Sequence, residues 1–266
     1  MIEKQYSRTI KFKKRLKKNC SSVSIGSWLQ IPDPNISEIM SNSNFEWLVI
    51  DLEHGSFSKK DMINCFRAIS LGNSLPFARV RNDNKTEIQE ALDSGACGII
   101  VPNIKNNSQL QKVISYSCWP PKGSRGVGFS RANIFGKIFD KYKVFAQNPF
   151  LVAMIECKEG LENIHTISKN DALDAILIGP YDLSASLGST GNFTNKKFTN
   201  AIKKIVSTCK KNHISVGMHQ VAPKEDDLKK LIKKGFNFIP YGIDTSFLNL
   251  YCKAPKLKKW LWKKTI

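Results

Sequence analysis

The sequence predicts a single (β/α)8 TIM barrel, in which eight parallel strands alternate with helices. The chain has 266 residues, 41% of them hydrophobic, which is enough for one barrel, although two modest domains also fit this length. Short apolar runs alternate along it with longer amphipathic segments. Several runs are apolar at successive positions, as strands buried on both faces are. Eight such runs occupy residues 24–31, 45–51, 76–80, 98–102, 150–156, 175–179, 214–218 and 236–240.

The segments between these runs show helical periodicity and end on Gly or Asn, as helices often do. A doubly wound open sheet is the rival architecture. No GxGxxG or Walker A sequence follows any of the apolar runs, so the usual phosphate-binding motifs of that architecture are missing. The predicted helices cover residues 61–73, 85–95, 108–116, 158–168, 198–212 and 225–235.

Three regions are predicted along the chain. Residues 1–20 form a basic N-terminal segment, expected to be helical, residues 21–254 form the barrel, and residues 255–266 form a basic, tryptophan-containing helical tail. The chain contains no stretch of ~18 apolar residues and no apolar core of a signal peptide near its start. We therefore expect a cytoplasmic protein that makes no membrane contact.

The chain is strongly basic, with 41 Lys and Arg against 22 Asp and Glu and a formal net charge of +19. Much of the surplus is lysine in helical patterns, which solvated helix faces explain, and a surface for polyanions stays open as an alternative. The seven cysteines are scattered and never in a CxxC spacing, which disfavours a disulfide framework or a zinc ribbon.

One connection between predicted strands is unusually long. It spans residues 119–148, between the fourth and fifth runs, and carries PPKGSRGVGFSRANIFG. Long connections in compact domains are often functional. We expect this one to emerge on the catalytic face of the barrel.

Barrel active sites lie at the C-terminal ends of the strands, so polar residues directly after the apolar runs are the candidates. Four runs end in this way. The residues are Asp51, Glu53 and His54 after the second run, Arg79, Arg81, Asn82 and Asp83 after the third, Glu156 after the fifth and Asp182 after the sixth.

These residue types together suit chemistry on a small 2-oxo acid. Glu156 and Asp182 offer hard oxygen ligands for Mg²⁺ or Mn²⁺, which a 2-oxo acid could chelate and which would stabilise an enolate as a Lewis acid. His54 is a candidate acid/base that Asp51 could orient or charge. Arg79 supplies a permanent cation beside a developing oxyanion.

Each residue also has a structural interpretation. A single carboxylate after a strand often caps the next helix, and Asp182 fits the N-cap of the DLSASLG turn. His165, His213 and His219 are expected to have no catalytic role. The functional interpretation depends on the coincidence of a base, a cation and two carboxylates at successive strand ends.

The chain resembles the HpcH/HpaI aldolase family of class II pyruvate aldolases from about Phe12 to Ala254. The resemblance rests on ordered motifs: IGSWLQIPDP, FEWLVIDLEHG, PFARV, GIIVP, KGSRGVGFSRAN, IE at 155–156 and IGPYDLSASLG. It implies that His54 and Asp51 form the acid/base dyad and that Arg79 contacts the keto or enolate oxygen. It further implies a divalent metal, Mg²⁺, Mn²⁺ or Co²⁺, on Glu156 and Asp182. The substrate carboxylate would bind backbone N–H groups near Gly179, Tyr181 and Asp182, with no Schiff-base lysine.

The leading hypothesis is an aldolase that cleaves or forms a 2-keto-3-deoxy sugar acid or 4-hydroxy-2-oxo acid, with pyruvate and an aldehyde as the other partners. Many relatives have Gln where this chain has Met154, which leaves the aldehyde undetermined. The resemblance also implies a homo-oligomer, commonly a hexamer. A lyase for malyl- or citryl-CoA thioesters on the same barrel is the alternative. A non-catalytic barrel that binds polyanions, nucleic acid included, is the hypothesis from a different class.

Overall fold

The computed structural model describes residues 2–18 and 22–254. Its eight strands are β1 Ser24–Leu29, β2 Trp47–Asp51, β3 Leu75–Arg79, β4 Gly98–Val101, β5 Phe150–Ile155, β6 Ala175–Ile178, β7 Ser215–Met218 and β8 Phe238–Ile243. The helices are α1 Ile2–Lys18, α2 Pro34–Ser41, α3 Lys59–Ile69, α4 Lys85–Asp93, α5 Asn107–Ser117, α6 Phe139–Ala146, α7 Lys158–Glu162, α8 Ile164–Ile167, α9 Pro180–Ser186, α10 Lys196–Lys211, α11 Glu225–Lys233 and α12 Asp244–Tyr251.

The strands form one parallel sheet in the order β7-β6-β5-β4-β3-β2-β1-β8. Hydrogen bonds between the two end strands close it. Asn237 N–H donates to the Val216 carbonyl at 2.9 Å, and Gln220 N–H donates to the Pro240 carbonyl at 3.0 Å. The (β/α)8 barrel is therefore confirmed, and the open-sheet alternative is wrong.

The predicted helices are present with small shifts, and one is interrupted. The pattern at residues 158–168 forms two short helices, α7 and α8, which meet at Asn163. Four helices, α2, α6, α9 and α12, were not predicted, and each has only seven or eight residues. None of the helices in the described residues is long and apolar enough to cross a membrane.

Stacked aromatic rings fill the N-terminal half of the barrel. Trp47 lies 4.3 Å from Phe238, and Phe77 lies 5.1 Å from Phe150, measured between ring centroids. Gly26 leaves room for the Trp47 ring, because a Cβ atom there would lie 2.1 Å from it. The barrel interior is therefore a packed apolar core at its N-terminal end, and polar side chains lie at the opposite end.

Helix α1 covers the N-terminal end of the barrel. Phe12 packs against Phe150 at 5.2 Å, and the buried ammonium of Lys13 lies 2.9 Å from Asp174 and donates to the Pro149 carbonyl at 2.8 Å. The expected N-terminal helix is therefore present and packs on the barrel. The predicted tail at residues 255–266 lies outside the described residues.

The long connection at residues 119–148 lies at the N-terminal end of the barrel, and the prediction that it emerges on the catalytic face was wrong. It follows α5 and returns to the first residue of β5. Its Trp119 N–H donates to the Ala146 carbonyl, and Tyr6 of α1 donates to the Ala132 carbonyl at 2.6 Å. Only segments that follow a strand open on the catalytic face, whereas this one follows a helix and precedes a strand.

Candidate active site

Polar side chains gather at the C-terminal ends of neighbouring strands. Asp51 is the last residue of β2, and it is paired in register with Arg79, the last residue of β3. Glu156 comes directly after β5, and Asp182 lies in α9, which follows β6. The polar residues that were predicted from the ends of the apolar runs therefore lie at the same end of the barrel.

A buried ion pair between Asp51 and Arg79 forms the centre of the site. Arg79 donates from Nε to Asp51 Oδ1 at 2.9 Å and from Nη2 to Oδ2 at 2.7 Å. Asp51 is 1% exposed. Burial acts to raise the pKa of Asp51, but the hydrogen bonds and the charge of Arg79 outweigh it and hold the pKa below its usual value. The pair is therefore ionised and fixed in orientation.

Three further side chains hold this pair. Gln30 Nε2 donates to Asp51 Oδ2 at 3.0 Å, and Glu53 Oε2 forms an ion pair with Arg79 Nη1 at 2.8 Å. The Trp28 ring faces the Arg79 guanidinium at 4.6 Å. Sequence reasoning gave Glu53 no role and missed Gln30 and Trp28. Gln30 directly follows β1, but the first predicted run extended to residue 31 and therefore included it.

His54 lies at the exposed rim of the site. Its backbone N–H and that of Glu53 both donate to Asp51 Oδ1 at 3.2 Å, so the turn after β2 wraps around the Asp51 carboxylate. Within residues 2–18 and 22–254, no hydrogen bond joins this carboxylate to the His54 ring. The acid/base dyad of His54 and Asp51 stays a prediction.

Glu156 presents a nearly buried carboxylate, 7% exposed. Its Oε2 accepts a hydrogen bond from the Asn103 backbone N–H at 2.8 Å. Burial, together with the charges of Glu53 and Asp182, raises the pKa of Glu156 to about 7 against the opposing effects of the Asn103 N–H and the Arg79 charge. Gly179 leaves space for this carboxylate, since a Cβ atom at that position would lie 2.3 Å from Glu156 Oε1.

Asp182 is exposed in the first turn of α9. The N-cap of this helix is Gly179, followed by Pro180 at the first helical position, so the interpretation of Asp182 as the N-cap is wrong. Tyr181 is 54% exposed and meets Phe193 edge-on at 5.1 Å. Asp182 is thus free of a capping role, and its charge acts on Glu156 and on Glu53.

The donors at this end of the barrel suit a divalent cation. Glu156 and Asp182 are hard oxygen ligands whose mutual repulsion a cation would relieve, with Glu53 as a third nearby carboxylate. In the described ranges, no group of three or more His, Cys, Asp or Glu side chains is placed to hold a metal by itself. This set therefore fits Mg²⁺ or Mn²⁺ held by few protein ligands together with water and substrate. Met154 is 2% exposed inside β5 and offers no such ligand.

His219, directly after β7, lies at the same end of the barrel. Its ring is 5.2 Å from the Trp28 ring, and its Nε2 is 3.4 Å from the Gly242 carbonyl oxygen. Burial lowers the pKa of His219 to about 4, and the charge of Arg79 contributes to this shift. The ring is therefore neutral at physiological pH.

Comparisons with known proteins agree on one family. The profile described as HpcH/HpaI aldolase/citrate lyase matches residues 24–249. The chain is 30% identical over 223 residues to a 5-keto-4-deoxy-D-glucarate aldolase from Klebsiella pneumoniae, covering 84% of this chain and 86% of that one. A solved HpcH/HpaI aldolase/citrate lyase family protein from Burkholderia cenocepacia superposes with a TM-score of 0.86 at 26% identity, covering 91% of this chain and 96% of that one. A solved citrate synthase, SbnG, has a TM-score of 0.76 at 25% identity, with coverages of 90% and 93%.

Proposed function

Because this chain belongs to the HpcH/HpaI aldolase/citrate lyase family, we propose that it is an aldolase for a 2-keto-3-deoxy sugar acid, yielding pyruvate and an aldehyde. It is a carbon–carbon lyase of the class II type, and this family is generally dependent on a divalent metal. The observation that supports the proposal best is the convergence of the Arg79–Asp51 pair and Glu156 at one barrel end. The similarity to 5-keto-4-deoxy-D-glucarate aldolases supports a sugar acid as the substrate.

In this proposal, Arg79 binds the keto oxygen of the substrate. The guanidinium cannot deprotonate, and Asp51 fixes its orientation, so a permanent cation faces the oxygen on which negative charge develops. Because the charge is already oriented in the free protein, its stabilisation of the enolate needs no rearrangement during the reaction.

Glu156 and Asp182 would hold Mg²⁺ or Mn²⁺. When bound, such a cation would supply Lewis acidity to the keto and carboxylate oxygens of the substrate. The backbone N–H groups near Gly179, Tyr181 and Asp182 would receive the substrate carboxylate at the start of α9.

His54 would act as the base and then the acid. His54 takes the proton of the C4 hydroxyl group, and the C3–C4 bond breaks. The electron pair of that bond forms the enolate of pyruvate, and the aldehyde leaves. Return of a proton to C3 gives pyruvate. The exposed position of His54 at the rim leaves its ring accessible to a bound substrate.

Pyruvate release tests this function. The substrates are 5-keto-4-deoxy-D-glucarate and related 2-keto-3-deoxy sugar acids, assayed with Mg²⁺, with Mn²⁺ or with EDTA for the wild type and Glu156→Ala. We expect metal-dependent release that the substitution abolishes. Absence of release from every compound, with the two proteins behaving alike, would refute the proposal.

A further inference from the structure

We infer that His219 is a specificity-determining residue, whose imidazole accepts a hydrogen bond from a hydroxyl group on the aldehyde half of the substrate. This inference rests on the proposed function and extends it to the class of aldehyde. It concerns binding, and it leaves the expected acid/base roles with His54 and Asp51.

The position of His219 places it on one wall of the site. It directly follows β7, which pairs with β6, and β6 leads to Gly179 and α9. The Trp28 ring is close to two polar groups, with the Arg79 guanidinium at 4.6 Å and the His219 ring at 5.2 Å. If the keto oxygen binds at Arg79, a substrate that extends along Trp28 brings its distal carbons to His219.

The hydrogen bonding of the His219 ring determines which kind of substrate group its other ring nitrogen can bind. A carbonyl oxygen only accepts, so the contact between Nε2 and the Gly242 carbonyl at 3.4 Å favours the tautomer with the proton on Nε2. The neutral ring then carries a lone pair on Nδ1, which is an acceptor. Burial and the nearby Arg79 charge both disfavour the imidazolium.

An acceptor of this kind selects hydroxyl groups. A carboxylate or carbonyl has no proton to donate, and an alkyl group would leave the half-buried acceptor without a partner. Sites built to hydrogen-bond a hydroxyl group discriminate strongly against analogues that lack it, because desolvation of the unpaired group costs free energy. The site therefore favours polyhydroxylated aldehydes over alkyl aldehydes of the same length.

A matched pair of aldehydes tests the inference. We would measure kcat and KM for addition of pyruvate to glyceraldehyde and to propionaldehyde, which have the same carbon chain but differ in hydroxyl groups. The wild type should prefer glyceraldehyde. His219→Leu should lower the ratio of kcat/KM values, glyceraldehyde over propionaldehyde, by about 10-fold or more, mainly through KM.

Two further variants complete the experiment. His219→Gln keeps an acceptor oxygen and should retain part of the preference, which keeps the test informative if the leucine variant fails to fold. His165→Leu, at an exposed position on α8, should leave the ratio unchanged. An unchanged ratio in His219→Leu, or equal ratios in the glutamine and leucine variants, would overturn the inference.

Hydrogen exchange in pyruvate, measured with the same proteins, distinguishes a failure of this inference from a failure of the proposed function. Exchange of the pyruvate methyl hydrogens for deuterium in D₂O requires enolate formation but no aldehyde. Exchange by the wild type, with no effect of His219 on aldehyde preference, overturns only the role of His219. Absence of both exchange and addition overturns the proposed function and the inference together.

Discussion

Arg79 and Asp51 illustrate how burial determines the effect of an ion pair on the free energy of unfolding. Asp51 is buried and takes two hydrogen bonds from the guanidinium, so removal of Arg79 leaves an unpaired charge in a region of low polarity. Arg15 and Glu46 lie equally close, at 2.7 Å, but both side chains are more than a third exposed. Solvent screens that second pair.

We therefore predict that Arg79→Ala lowers the free energy of unfolding by about 3–5 kcal/mol. Arg15→Ala should cost at most about 1 kcal/mol, because its pair is solvated. Urea unfolding curves at neutral pH measure both values. Equal losses in the two variants would contradict the assignment of Arg79 to a buried ion pair.

The raised pKa of Glu156 makes the stability of the metal-free protein depend on pH. The folded state binds the carboxyl proton more tightly than the unfolded chain, since the pKa is raised from 4.5 to about 7. The free energy of unfolding should therefore fall as pH rises from 4.5 to about 7 and level off above that range. This shift corresponds to about 3 kcal/mol.

Urea unfolding in EDTA between pH 4.5 and 8, for the wild type and Glu156→Gln, measures this effect. The glutamine has no proton to lose, so the variant should lack this component of the pH dependence. Parallel pH curves for the two proteins would show that Glu156 ionises as a solvated carboxyl group does.

Some residues of the candidate site could be predicted from the sequence and others could not. Asp51, Arg79 and Glu156 were predictable because each is a polar side chain at the end of an apolar run. Asn103 was not, since it contacts Glu156 through its backbone N–H, which any residue except proline supplies. Trp28 was not assigned a role because it lies inside an apolar run, and His219, which directly follows one, was expected to have no catalytic role.

At the scale of elements, strands were predicted more reliably than connections. Burial on both faces makes most positions of a strand apolar, and this pattern can be recognised directly in the sequence. The side of the barrel to which a connection belongs depends on whether it precedes or follows a strand, and residues 119–148 were misplaced for that reason. The helix broken at Asn163 shows the same limit, since periodicity persists across a short break.

Helix α1 should contribute stability without contributing to the site. Phe12 is buried against Phe150 at the end of the barrel opposite Arg79. Phe12→Ala should cost about 3–5 kcal/mol of unfolding free energy, with KM unchanged in the folded protein. Lys14→Ala, on the exposed face of the same helix, should have little effect on either quantity. Urea unfolding and steady-state kinetics measure the two, and a raised KM in Phe12→Ala would contradict this separation.

At the scale of the whole molecule, exposed apolar side chains indicate an interface. Val127, Phe129 and Phe135 are 53%, 74% and 68% exposed and lie within the one long connection. Clustered apolar exposure of this kind marks contact surfaces in soluble proteins. We therefore propose that this connection contributes to the interface of a homo-oligomer.

Light scattering after gel filtration tests that assignment. The wild type should have a multiple of the 30.0 kDa chain mass, six-fold for a hexamer. Phe129→Ser combined with Phe135→Ser should lower the mass, whereas Ile39→Ser, 64% exposed on α2, should not. A monomeric wild type would contradict the prediction.

The central claim is that the Arg79–Asp51 pair and Glu156 form one metal-dependent enolising site. The most direct measurement is exchange of pyruvate C3 hydrogens for deuterium, followed by NMR with Mg²⁺ or EDTA, for the wild type, Gly179→Ala and Lys14→Ala. A methyl group at position 179 would collide with Glu156, whereas Lys14 is exposed on α1 at the opposite end of the barrel. We predict Mg²⁺-dependent exchange in the wild type and Lys14→Ala, and exchange slower by about 10-fold or more in Gly179→Ala. Absence of exchange in the wild type, or exchange unaffected by EDTA, would contradict the claim.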